Sequence, residues 1–255
     1  MIKAIPSNLG DNKPCYQNVK NISKILHDIL KKDYHQYLNL VQSLKSFNKN
    51  LRNHAKINSN EEQDFFEYYG ALIKEMKEYN KNNAFPINEY TKRIINNISI
   101  IISELKNISK DEYKYIRGLL TEAIACSLRY DVSKQNSQNF LWDAQFEEND
   151  VTIVCNVENF KSKTVDIYFR KQEFIELCEC KTTPYNIGEN KSQLELLLML
   201  KDKYLNYDQS VDLKLFILEN INTPRIHREL KSLVTDRNIT IEDFDKIEQK
   251  IFDEQ

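Results

Sequence analysis

A chain of 255 residues is long enough to bury one sizeable core with a second, smaller one beside it, and its formal charge of -2 gives no global pull towards nucleic acid. Any polyanionic substrate must therefore be held by a local patch or by metal ions. No uncharged run approaches the ~18 residues that span a membrane, and the five cysteines show no paired C-x-x-C spacing, so a membrane helix, a disulfide framework and a zinc knuckle are excluded and a cytoplasmic protein is expected.

With only 4 Gly and 5 Pro to interrupt it, the chain favours long helices. Met1 to Pro6 carry no apolar signal-peptide core. From Tyr16 to about Ile108 apolar residues recur at helical spacing in four stripes. The first holds Val19, Ile22, Leu26, Ile29 and Leu30; the second Tyr37, Leu40, Val41, Leu44, Phe47 and Leu51. Phe65, Phe66, Tyr69, Leu72, Ile73 and Met76 form the third, and Tyr90, Ile94, Ile98, Ile101, Ile102 and Leu105 the fourth. Polar, Asn-rich breaks at 57–60 and 80–86 separate them as loops would, and residues 1–110 read as an all-helical region for recognition or oligomerisation. Beside the second stripe, Lys45, Lys49, Arg52 and Lys56 recur at helical spacing. Such a basic stripe suits phosphate contacts, although a solvated helix face explains it more simply.

Ser109-x-x-Glu112 has the form of a capping box, opening a helix through Ile116, Leu119, Leu120, Ala123 and Ile124 to about Tyr130. The pattern then changes. Val151–Cys155, Thr164–Phe169 and Phe174–Cys180 are short, β-branched or aromatic, and separated by polar connectors, as strands of a meander are. A helix over about 189–204, a strand over 212–218 and closing helices at 224–234 and 240–252 follow, the last with Thr240-x-x-Asp243 as its cap. Helix, three strands, helix, strand and helix make residues 111–255 an α/β (α+β) domain.

On the third strand, period-two geometry puts Glu179 and Lys181 on one face and Cys178 and Cys180 on the other. A hairpin to the preceding strand brings Asp166 beside Glu179. Two carboxylates and an ammonium suit Mg²⁺, which keeps several waters and bridges to substrate phosphate. Glu-x-Lys alone is cheap: it also occurs at Glu75, Glu104, Glu112, Glu189, Glu229 and Glu248, in a chain that is 29% charged. Those six lie in helix-like, polar or terminal stretches, whereas Glu179 and Lys181 end an apolar β-like run, where a core-facing ion pair is costly without a purpose. The four histidines show no ligand spacing, and neither a G-x-S-x-G elbow nor a glycine-rich phosphate loop is present.

Val165-Asp166, twelve residues, then Glu179-Cys180-Lys181 resembles the signature of the PD-(D/E)XK, or restriction-endonuclease-like, nuclease superfamily, over about residues 112–218. The motif's proline is replaced by Val165. The resemblance implies a core of helix, three-stranded meander, crossing helix and strand. It assigns metal binding to Asp166 and Glu179, with Mg²⁺ as cofactor and Mn²⁺ as a substitute, and catalysis to Lys181. A glutamate on the first helix completes such sites, and Glu122 holds that place; a polar residue on the crossing helix also contributes, and Gln193 or Lys191 fits. The function so implied is an endonuclease cutting DNA, with RNA not excluded, in restriction or defence against foreign DNA, and with a second copy of the chain as a candidate partner. The alternative from another class is a non-catalytic interaction scaffold on a degenerate nuclease fold.

Overall fold

The computed structural model describes residues 2–7, 15–54, 89–105, 110–129, 139–157, 160–172, 174–184, 191–219, 230–231 and 237–244. The chain forms two compact units, Asp11–Arg129 and a second made of Met1–Gly10 with Tyr130–Gln255. Where a division at 110/111 is expected from sequence, the contacts divide the chain at 10/11 and 129/130.

The first unit is helical, with α1 Tyr16–Leu30, α2 Tyr34–His54, α3 Glu89–Leu105 and α4 Lys110–Arg129. The stripe of α1 buries Val19, Ile22, Leu26 and Ile29, and α1 packs against α2, α3 and α4. Asp33 opens α2, its Oδ1 accepting the Gln36 N–H at 3.0 Å and so satisfying one of the unpaired donors of the first turn. Polar groups stitch the helices where the apolar stripes meet. Ser23 Oγ donates to Ala123 O at 2.8 Å, Tyr37 Oη lies 3.1 Å from Ser127 Oγ, and Asn48 Nδ2 donates to Arg117 O at 2.9 Å. The third predicted stripe, Phe65–Met76, and Ser109 lie outside the described residues.

The second unit is a mixed sheet with one crossing helix. Its strands are β1 Ile2–Pro6, β2 Phe140–Glu148, β3 Val151–Thr152, β6 Thr164–Lys171, β7 Phe174–Lys181, β8 Ser210–Ile217 and β9 Ile239–Asp243, with β4 Cys155–Val157 and β5 Phe160–Ser162 as a separate hairpin. The order is β1-β2-β6-β7-β8-β9, with β3 also on β2. Pairing is antiparallel from β1 to β7 and parallel from β7 to β9. The crossing helix α5, Lys191–Leu205, joins β7 to β8 and sets Leu194, Leu197, Leu200 and Tyr204 into a core with Ile175, Leu177, Leu213 and Leu215. Parallel neighbours require such a crossover, and the run of leucines is what buries it.

The α/β class holds, and three elements differ from expectation. The first strand of the antiparallel meander is β2, in which Phe140, Trp142, Ala144 and Phe146 are buried; Val151–Cys155 instead splits into β3 and part of the β4–β5 hairpin. Asn149 and Asp150, both with positive φ, make the tight turn that folds β3 back on β2. The N-terminal region is not all helical, because Ile2–Pro6 pairs with Ala144–Glu148. Residues 239–243 are a strand, not the start of a helix: Ile239, Thr240 and Ile241 are three β-branched residues in a row beside the parallel edge of β8, and that outweighs the Thr240-x-x-Asp243 cap. Of the helix predicted at 224–234, only 230–231 lie among the described residues.

Candidate active site

Strand β7 is the centre of the site. Its ladder with β8 runs the whole length, from Phe174↔Ser210 to Lys181↔Ile217, whereas the ladder with β6 runs from Lys171↔Phe174 only to Ile167↔Cys178. Beyond that rung the two strands part, and the Asp166 carboxylate takes over, its Oδ2 accepting the Cys180 N–H at 2.6 Å. A buried backbone donor at the end of a ladder needs a partner, and an ionised one binds it about twice as strongly as a carbonyl does.

Glu179 is fully buried. Its Oε1 accepts Lys181 Nζ at 2.5 Å, and its Oε2 is buried with no hydrogen-bond partner among the described residues. Lys181 Nζ donates a second hydrogen bond to Gln193 Oε1, at 2.7 Å, from the first turn of α5. Burial disfavours the ammonium, but the Glu179 and Asp166 carboxylates together outweigh it and hold Lys181 above the usual lysine range. Alternation along β7 puts Glu179 and Lys181 on the face that α5 covers with Leu177 and Ile175.

The hairpin β6–β7 and the start of α5 thus bring together Asp166, Glu179, Lys181 and Gln193. Glu122 lies half-buried on α4 of the helical unit. Lys45 and Lys49 lie on α2, half-buried and exposed respectively. The side chains of Arg52 and Lys191, and all of Lys56, lie outside the described residues. Among the described residues no group of three or more His, Cys, Asp and Glu side chains gathers as a metal cage. None of these residues lines the cavity of about 480 Å³ that Cys155, Val157, Leu198 and Met199 form with the polar Glu195 and Lys203.

Two features escape the sequence patterns. Asp143, in the middle of β2, has φ 60 and is held by Ser7, which donates its N–H to Asp143 O at 3.0 Å and its Oγ–H to Asp143 Oδ2. The one available signal is a lone acidic residue at the centre of an otherwise aromatic and apolar run. On the opposite face of β7, Glu176 is buried and pairs with Lys214 Nζ at 2.5 Å, with Glu242 at 3.3 Å and Asp212 at 3.7 Å from the same ammonium. Those four groups form an ion-pair network within the sheet. Compared with known proteins, the sequence matches no family model and no curated protein.

Proposed function

We propose that the sheet unit is a Mg²⁺-dependent endonuclease of the PD-(D/E)XK type, hydrolysing phosphodiester bonds in DNA. The observation that carries the reading is the parted end of β6 and β7, where the Asp166 carboxylate takes the Cys180 N–H, Glu179 takes the Lys181 ammonium, and Glu179 Oε2 is buried unmatched among the described residues. Leaving a buried carboxylate oxygen unpaired costs stability, and a hard divalent cation is the ligand such an oxygen suits. The antiparallel β2-β6-β7 meander followed by α5 and a parallel β8 supports the restriction-endonuclease-like core.

Asp166 and Glu179 would hold the ion, Mg²⁺ or Mn²⁺ in its place, with the remaining positions taken by water, main chain or substrate. When bound, the ion supplies charge neutralisation and a more acidic water. Lys181, paired with Glu179 and fixed in direction by Gln193, would position or deprotonate the attacking water, or face the charge building on the phosphate. Lys45 and Lys49 offer phosphate contacts from α2, a helix without one Asp or Glu between Tyr34 and His54. Defence against foreign DNA, in the cytoplasm and as a homo-oligomer, belongs to the proposal by family analogy alone.

The competing reading is a non-catalytic scaffold, favoured by the same 2.5 Å contact, which makes Glu179–Lys181 a buried structural ion pair. A purely structural pair gains most when every oxygen is matched, and among the described residues Glu179 Oε2 is not. The test is to incubate the purified chain with plasmid, linear duplex, single-stranded DNA and RNA in Mg²⁺, Mn²⁺ or EDTA, beside Lys181→Ala. Metal-dependent cutting that Lys181→Ala loses supports the nuclease. No hydrolysis of any substrate at any metal concentration leaves the scaffold.

A further inference from the structure

A left-handed backbone in mid-strand is costly for any residue with a side chain, and Asp143 adopts it at φ 60. Aspartate tolerates that region better than most, and here Ser7 pins it twice, through main chain and side chain. The kink leaves a trace in the packing. Unbroken alternation from Leu141 would send 143 and 145 into the core shared with α5, but the residues that join Leu141 there are Ala144 and Phe146. Strand β6 changes phase in the same way, contributing Val165 and Tyr168 to that core. The register pairs Trp142 with Ile167 and Ala144 with Val165 and skips the position between them, so both strands switch where Asp143 stands opposite Asp166. On the other side of β6, the ladder to β7 ends one residue before Asp166, where its carboxylate takes the Cys180 N–H.

We propose that Asp143, clamped by Ser7, is a positioning residue: its left-handed backbone turns β2 and β6 together at one rung, parts β6 from β7, and so aims the Asp166 carboxylate at Cys180. Strain held at a candidate metal ligand's own rung, and stabilised by a dedicated clamp, is how a site stores geometry. The consequence for metal binding rests on the nuclease reading; the aiming of Asp166 does not.

The test compares the wild-type chain with Asp143→Asn, Asp143→Val and Ser7→Ala by hydrogen exchange of the Cys180 amide in EDTA, using β8 amides as internal reference, and then by isothermal titration with Mn²⁺. Asparagine tolerates the left-handed region and still accepts from Ser7, so Asp143→Asn should exchange within about twofold of wild type. Valine, β-branched, penalises that conformation, and Asp143→Val should speed Cys180 exchange about tenfold with the β8 amides unmoved. Ser7→Ala, which leaves the β2 backbone intact, should fall between them, and Mn²⁺ affinity should drop in the same order. Equal acceleration at Cys180 and β8 would make Asp143 a general stability residue and overturn the proposal, as would an unchanged Cys180 in Asp143→Val. If Asp143→Val does not fold, Ser7→Ala decides by the same comparison. Failure of the wild type to bind Mn²⁺ would remove the metal reading, while the amide rates still judge the positioning.

Discussion

Lys181 is the only cation paired with Glu179 among the described ion pairs, and Glu179 is fully buried. Removing one partner of a buried pair leaves the other charge stranded, which typically costs about 3 kcal/mol or more. Lys181→Met should therefore destabilise the sheet unit by about that much in EDTA, and adding Glu179→Gln should recover much of the loss, since it removes the stranded charge. Urea unfolding of the two single variants and the double variant measures the coupling. A small, additive effect would mean that the pair is loosely solvated. If the ion binds as proposed, saturating Mn²⁺ should stabilise Lys181→Met more than wild type, because the metal replaces the missing positive charge. Asp166→Asn should show the reverse dissociation, losing Mn²⁺ affinity along with cleavage, whereas Lys181→Ala should lose about 10²- to 10³-fold in rate with metal binding largely kept.

Within the helical unit the best test lies between helices. Ser127 Oγ is the partner of the fully buried Tyr37 hydroxyl on α2, and His27 Nδ1 on α1 donates to Ser127 O at 3.1 Å. Ser127→Ala should cost about 1 to 3 kcal/mol by stranding the Tyr37 hydroxyl, and Tyr37→Phe in that background should be nearly neutral. Burial also raises the Tyr37 phenol well above the usual tyrosine range. An acid whose folded pKa is raised favours folding below its unfolded pKa and loses that contribution as pH climbs past it. Stability of the unit should thus fall above about pH 10, and less steeply in Tyr37→Phe, as helical circular dichroism in urea would show. On the surface of α2, reversing Lys45, Lys49 and Arg52 to Glu should weaken DNA binding and flatten its log-salt slope by about 3 if each contacts one phosphate; an unchanged slope returns the stripe to a solvated face. Elements such as α1 and α2 were legible because their apolar residues repeat at 3.6, and β7 because it is a short β-like segment, largely apolar, that ends in Glu179 and Lys181. The failures have physical causes too. Strand β1 is only five residues long and exists by pairing with β2, 138 or more positions away in sequence, and β9 needs the edge of β8; local patterns carry neither fact. The convergence of Glu179 and Lys181 followed from strand parity, but Asp166 reaches Cys180 through a parting of strands that begins at Asp143, and no spacing rule encodes that.

At the scale of the molecule, the sheet unit is assembled from both ends of the described chain, with the whole helical unit inserted between β1 and β2. Closing that long insertion costs entropy that grows only slowly with its length, so the fold tolerates it, but β1 must then find β2 across the insertion during folding. Without β1, the strand β2 would present Ala144–Glu148 as an open edge, Ile2 would no longer cover the core, and Ser7 would no longer hold Asp143. Residues 130–255 expressed alone should therefore unfold at lower urea than the same unit in the full chain and associate at high concentration, and a peptide of residues 1–10 supplied in trans should raise the midpoint. The measurement is clean because the chain's one tryptophan, Trp142, is buried on β2 and reports this unit, whereas the helical unit carries none. If the tryptophan transition of 130–255 matches that of the full chain and the peptide has no effect, β1 is a passive edge and the Ser7 clamp contributes nothing to the strand it touches.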